Sequence, residues 1–220
     1  MNVPFSPPDI SEKEIKGVVD TLQSGWITTG PKTKEFEEAL ADFCGTRQFL
    51  AVNSATAALE MALRALQIGP GDEVITTAYT FTATASVVLH VGAKLVLVDT
   101  LPDCYEMDPI ALEQAITSRT KAIIAVDLGG AMCDYPSLIA LAEKKRGLFS
   151  PSGPLQEALG RIAVLADAAH SLGAQRDGLR SGQGSDMSSF SFHAVKNLTT
   201  GEGGGLTCRP DFPVDQESLF

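Results

Sequence analysis

The sequence predicts an α/β domain built on a mainly parallel, mixed seven-stranded sheet flanked by helices. From about Phe49 onward, short apolar runs alternate with helical patterns, as in a parallel sheet covered on both faces. Apolar residues make up 44% and charged residues 20% of the chain, which is ordinary for a soluble globular protein. A length of 220 residues suffices for one well-buried core, and nothing in the pattern asks for a second domain.

A helical segment over about residues 1–48 precedes the sheet. Ser11-Glu12-Lys13-Glu14 fits a capping box, and Ile15, Val18, Val19 and Leu22 follow at helical spacing. Gly25 stops that helix and Trp26–Pro31 reads as a loop. A second helix carries Phe36, Leu40 and Phe43 on its apolar side. Both helices are expected to pack outside the main sheet or against another subunit. The strands are predicted at Phe49–Val52, Glu73–Thr77, Lys94–Val98, Ala122–Val126, Ile162–Ala166, Ser188–Phe192 and Gly205–Cys208. Helices are predicted between them at Thr56–Leu66, Thr82–His90, Pro109–Ile116 and Pro136–Arg146, two of them opening on a tolerated first-turn proline. Gly69–Asp72 is a stop-and-turn segment. Residues 147–160 look like an insertion with a short helix at Leu155–Leu159.

Several function classes fall away on composition and motif. A net charge of -10 argues against a nucleic-acid partner, because phosphate backbones need a basic footprint. Cys44, Cys104, Cys133 and Cys208 are widely spaced without a CxxC pair, so neither a zinc site nor a disulfide framework is expected. The amino-terminal MNVPFSPPDI lacks the basic-then-apolar pattern of a leader. No apolar run reaches the length needed to span a bilayer. The expectation is a cytoplasmic protein with reduced thiols. No P-loop motif occurs, and Gly201–Gly205 lacks the spacing of a dinucleotide fingerprint.

Three segments carry candidate chemistry, and each has a bland reading when taken alone. Ser54, Ala55 and Thr56 join the first strand to a helix. A helix N-terminus binds anions through unpaired N–H groups, although Ser and Thr also serve there as plain caps. Asp167 follows the apolar run Ile162–Ala166, with His170 three residues on. Ligands of open parallel sheets bind at the carboxyl ends of strands, but an aspartate there also caps turns. Lys196 follows the strand segment Phe190-Ser191-Phe192 and precedes a glycine cluster; a lone lysine in such a place is more often surface. Together the three match the needs of pyridoxal phosphate (PLP): a lysine for the aldehyde, an acid beside the pyridine nitrogen, and a phosphate cup.

With these segments assembled, the sequence resembles the DegT/DnrJ/StrS sugar aminotransferases, PLP enzymes of fold type I. The matching stretches are Gly25–Pro31, Asn53–Ala57, Gly69–Thr76, Asp167-Ala168-Ala169-His170 and Phe190–Asn197. The last two, in this order and separation, are highly specific. The resemblance implies that Lys196 is the Schiff-base lysine and proton shuttle. It further implies that Asp167 keeps the pyridinium protonated, that His170 lies near the ring and its phenolic oxygen, and that Phe81 stacks on the ring. Ser54, Ala55, Thr56 and Ser191 would hold the phosphate, and Thr28, Thr29 and Gly30 would lie near substrate. No metal is implied. Asp127 stands where many relatives carry a histidine, so substrate contacts there are expected to differ.

Members of the family continue into a smaller C-terminal domain, and this chain, ending at Gln216–Phe220, is expected to be the PLP-binding large domain (residues 1–220) without it. The implied activity is transamination of a nucleotide-linked keto-sugar with an amino-acid donor, usually glutamate, in a homodimer. A dehydratase of the same family would carry histidine in place of Lys196. A non-catalytic binding or regulatory module would have lost Lys196 or Asp167, and both are present.

Overall fold

The computed structural model describes residues 6–213; the first five residues of the amino-terminal reading and the Gln216–Phe220 ending lie outside them. In chain order the elements are α1 (Glu12–Ser24), α2 (Pro31–Cys44), β1 (Phe49–Val52), α3 (Ala55–Ala65), β2 (Glu73–Thr77), α4 (Thr82–His90), β3 (Lys94–Val98) and α5 (Pro109–Ala115). There follow β4 (Thr120–Val126), α6 (Tyr135–Lys144), α7 (Pro154–Leu159), β5 (Ala163–Asp167), β6 (Gln175–Arg176), β7 (Leu179–Arg180), β8 (Met187–Ser191) and β9 (Gly204–Cys208).

Seven strands form one sheet in the order β1-β9-β8-β5-β4-β2-β3. The contacts β8–β5–β4–β2–β3 are parallel, whereas β9 runs antiparallel to both β8 and β1. Only β9 is reversed, so the other six strands deliver their carboxyl ends to one edge of the sheet. Ligands of parallel sheets bind at that edge.

The near-continuous apolar strands follow from burial on both faces. Neighbouring residues point to opposite sides. Ile75, Ile123 and Val164 pack on one face with Leu40, Leu112 and Leu138 of α2, α5 and α6. Val74, Ile124 and Leu165 pack on the other with Leu59, Val87 and Leu155 of α3, α4 and α7. Helix α1 stands apart. Its capping box forms as expected, with Ser11 N–H donating to Glu14 Oε2 at 2.7 Å and Lys13 N–H to Ser11 Oγ at 3.2 Å. It buries no residue, however, and Ile15, Val18, Val19 and Leu22 of its apolar face are exposed.

Element boundaries shift by a residue or two from expectation, and one shift matters: β5 runs through Asp167, so this acid belongs to the strand itself. The β6–β7 hairpin was not anticipated. Its strands are two residues long, too short for a periodic signal. Its turn, with Asp177 at φ 50° and Gly178 at φ 83°, follows the Asp-Gly hairpin signature, in which both central residues take positive φ.

At the opposite end of the sheet Glu73 is buried and accepts from Thr117 Oγ1 (2.6 Å), Arg119 Nη2 (2.7 Å) and Lys94 Nζ (3.0 Å). Burial alone would raise its carboxyl, but the Thr117, Arg119 and Lys94 donors prevail and hold it down to about 2. A carboxylate with a depressed folded-state pKa stabilises fully above its ordinary value and loses that contribution as pH falls through the folded value. Glu73→Gln should therefore cost roughly 1–2 kcal/mol near neutrality, discounted because Arg119 and Lys94 reach in from solvent. The cost should shrink between about pH 4.5 and 2, as read by urea unfolding at a series of pH values.

Candidate active site

One cavity of about 390 Å³ opens at the carboxyl edge of the sheet. Its lining includes all eight residues expected to meet the cofactor: Ser54, Ala55, Thr56, Phe81, Asp167, His170, Ser191 and Lys196. A larger and more open hollow of about 530 Å³ lies between α2 and β1, lined by Lys34, Glu37 and Arg47 among others. It contains none of these groups.

The first wall is the N-terminus of α3. Ser54 caps the helix, its Oγ accepting from Ala57 N–H at 3.1 Å. The Ala55 and Thr56 amides have no partner among the described residues and remain available to an anion. Strand β9 presses against this turn. A Cβ on Gly204 would fall 2.2 Å from the Ser54 carbonyl carbon and 2.4 Å from the Ala55 nitrogen, so only glycine allows the approach. The next residue meets a ring: a Cβ on Gly205 would lie 2.0 Å from Phe49 Cε1. The glycine cluster thus packs β9 onto its neighbours.

The second wall is Asp167, buried at the end of β5. Its Oδ2 accepts from Thr84 Oγ1 at 2.6 Å and its Oδ1 from Ala169 N–H at 3.2 Å. Thr84 itself stands 2.7 Å from Thr80 Oγ1; because Thr84 donates to the acid, Thr80 supplies the proton of that second bond. Burial pushes the Asp167 carboxyl up, and the Thr84 hydroxyl and Ala169 amide draw it back down, with smaller help from the His170 and Lys196 charges; the net direction is upward. A carboxylate offers about four acceptor positions, so two bonds leave room for a donor from the cavity. Thr84 and Thr80 escaped sequence reading because their role exists only once α4 packs over β5.

Lys196 forms the third wall, in the turn after β8, half-buried, with its backbone N–H donating to His193 O at 2.9 Å. Its Nζ has no hydrogen-bond or ion-pair partner among the described residues. Burial lowers its pKa, and the Asp167 charge opposes that shift. The direction favours a neutral, nucleophilic amine. Phe81, 75% exposed at the start of α4, overhangs the opening.

His170 accepts from Gly129 N–H at 3.2 Å through Nδ1. A backbone amide can only donate, so Nδ1 carries no proton and the neutral ring is the Nε2–H tautomer. Burial and then the Lys196 charge lower its pKa, against a pull upward from Asp167.

Two further places stand apart from these eight residues. Asp127 lines the cavity and is buried, and its carboxylate accepts from Cys133 N–H (2.9 Å), Tyr135 Oη (2.7 Å) and Ser171 Oγ (2.7 Å). Thr28, Thr29 and Gly30 lie in the loop between α1 and α2 and do not line this cavity. That loop is closed by Trp26, whose Nε1 donates to Thr29 O at 3.1 Å; a Cβ on Gly30 would run into the indole.

Comparison with known proteins agrees with this geometry. The sequence profile of the DegT/DnrJ/EryC1/StrS aminotransferase family matches residues 8–217. The chain belongs to that family. It is 44% identical over 205 residues to the spore coat polysaccharide biosynthesis protein SpsC of Bacillus subtilis (strain 168), covering 93% of this chain and 49% of SpsC. Among solved structures it is similar to Spr1654 from Streptococcus pneumoniae in its PLP-form, described as a candidate sugar aminotransferase. The TM-score there is 0.98 and the identity 54%, over 100% of this chain and 56% of that one. DesI, solved in the presence of its TDP-sugar product, matches at 32% identity with a TM-score of 0.80 over 94% of this chain and 49% of that one. The chain spans about half the length of the curated relatives it matches. The mixed sheet is the fold type I architecture of these sugar aminotransferases.

The Gly204 contact yields a direct test. Gly204→Ala forces β9 away from the first turn of α3 and should destabilise by about 1–3 kcal/mol, measured by urea unfolding. The same change at Gly201, where a Cβ meets nothing within 4 Å but φ is 83°, should cost only about 1 kcal/mol of left-handed backbone strain.

Proposed function

We propose that this chain is the cofactor-binding part of a PLP-dependent aminotransferase that aminates a nucleotide-linked keto-sugar, with an amino acid, glutamate by family resemblance, as donor. The observation that carries the reading is the convergence of an unpartnered lysine amine, a buried carboxylate and a helix N-terminus with free amides in one cavity. The residues fit the cofactor. Ala55 and Thr56 amides, with the hydroxyls of Ser54, Thr56 and Ser191, would hold its phosphate, and Asp167 would face its ring nitrogen. Phe81 would cover one face of the ring. When bound, PLP supplies an electron sink that accepts the charge left when a proton leaves the donor's α-carbon.

The chain's own residues do the rest. Lys196 would hold the group through Nζ, and as a free amine it would act as general base and then general acid toward the donor's α-carbon proton. Burial lowers its pKa, the direction that favours the free amine such a base needs. Asp167 would keep a positive charge on the ring nitrogen by charge and by position, and Thr84 and Ala169 hold its carboxylate in place through hydrogen bonds. His170, with Nδ1 occupied by the Gly129 amide, would have Nε2–H free for a cofactor or substrate oxygen.

The sugar class is supported by SpsC and Spr1654, and the nucleotide by DesI and its TDP-sugar. The working unit we propose is a cytoplasmic homodimer, in which a second copy covers the exposed face of α1 and the Thr28–Gly30 loop reaches substrate from there. A C-terminal small domain, as family members carry, would close over the substrate. Among the described residues no helix is long and apolar enough to cross a membrane.

The test uses the protein at its full natural length. Borohydride treatment of the PLP-loaded protein should fix the cofactor's mass on the peptide containing Lys196, and Lys196→Ala should remove that mass while leaving the fold intact. Label on another lysine would overturn the assignment. Asp167→Asn keeps the shape but removes the charge, and should lower turnover by about 10²-fold or more while part of the cofactor stays bound. An unchanged rate would reduce Asp167 to a turn residue.

A further inference from the structure

The carboxylate of Asp127 sits where two turns meet. One follows β4 and contains Gly129; the other follows β5 and contains His170. The strands are paired in register up to Val126 and Asp167, and Asp127 N–H extends the ladder by donating to Asp167 O at 3.0 Å. Beyond that point the strand ladder ends, and the Asp127 side chain adds its own links. Its Oδ1 accepts from Cys133 N–H, in the segment before α6, and from Tyr135 Oη, at the start of α6; its Oδ2 accepts from Ser171 Oγ, the residue after His170. Ser171 is fixed again by Ser181 Oγ at 2.8 Å and by its own N–H donating to Ala168 O at 3.0 Å. Asp127, Ser171, Ser181, Tyr135 and Cys133 are all buried, where a satisfied polar network is rigid and a broken one is costly.

The two groups that set the His170 tautomer, its own ring and the Gly129 amide, thus hang from the two halves of this network. We infer that Asp127 is a positioning residue: it ties the turn after β4 to the turn after β5 and thereby holds His170 as the Nε2–H tautomer facing the cavity. Three protein donors already hold the carboxylate, two on Oδ1 and one on Oδ2, which is what a tie between two turns requires. Asparagine can replace the acid in the frame, since its Oδ1 accepts from Cys133 and Tyr135 while its amide donates to Ser171 Oγ, whose proton then turns to Ser181. Alanine cannot.

The inference rests on the cavity being the cofactor site only for its catalytic consequence, so two readouts separate the claims. The first is histidine ¹⁵N NMR on the cofactor-free full-length protein, with His170→Gln identifying the signal. Wild type and Asp127→Asn should show a single Nε2–H tautomer, and Asp127→Ala a mixture. The second is the single-turnover reaction of the PLP-loaded protein with glutamate, which Asp127→Ala should slow roughly tenfold with little change in the glutamate concentration dependence. Should Asp127→Ala fail to fold, Ser171→Ala cuts the link on the His170 side alone and should give the same mixture and slowing. A single Nε2–H signal in the alanine variants, or equal loss in Asp127→Asn and Asp127→Ala, would overturn the proposal. A mixed tautomer with an unchanged rate would overturn its bearing on catalysis.

Discussion

Asp167 ends β5 with its carboxylate buried, and burial of an anion is costly unless donors or a positive charge stand close by. The protein provides two donors, the Thr84 hydroxyl and the Ala169 amide, and no direct ion pair to this acid among the described residues. Lys196 and His170 draw its pKa down only weakly. The site is therefore built around a charge that its surroundings only partly satisfy. A cationic ring nitrogen placed against Asp167, as proposed, would complete it, and the rest of the cavity would set where that ring can lie.

The sheet supplies the positions. Six co-directional strands bring the ends of β1, β4, β5 and β8 to one edge, with Asp167 as the last residue of β5 and Ser54, Asp127 and Lys196 in the turns that follow β1, β4 and β8. The reversed strand β9 then returns between β1 and β8, and Gly204 lets it press against the α3 N-terminus. Lateral packing of the sheet and the shape of the anion cup are coupled at this contact. A second coupling runs beneath the cavity, where Asp127 joins the turns that follow β4 and β5. The cup and the acid are each held by contacts distant in sequence, as required for a site that positions rigid groups.

What the sequence disclosed depended on whether the physical cause was local. Ser54–Thr56, Asp167 and Lys196 were legible because each sits at a strand end within a short linear pattern, and strand–helix alternation is itself a local signal. The capping box of α1 was local in the same way. The uncovered state of α1 was not, because amphipathic spacing shows a helix has an apolar face and says nothing of what meets it. Thr84 was hidden because its partner lies 83 residues away. Asp127 was noticed only as a departure from the family, and its role in the frame was hidden because the Tyr135 and Ser171 donors that occupy it come from separate elements. Gly204 was legible only as part of a glycine cluster, because the Ser54–Ala55 backbone it approaches lies far away in sequence. The β6–β7 hairpin did carry a local mark in Asp177-Gly178.

The claim at the centre is that Asp167 is an under-compensated buried acid completed by a cationic cofactor nitrogen. Carboxyl ¹³C NMR of the full-length protein, titrated with and without PLP and with Asp167→Asn identifying the signal, tests it most directly. In the cofactor-free protein Asp167 should titrate above the ordinary aspartate value, and adding PLP should move that titration to lower pH so that the acid stays ionised. A titration at the ordinary value, unmoved by PLP, would contradict the account.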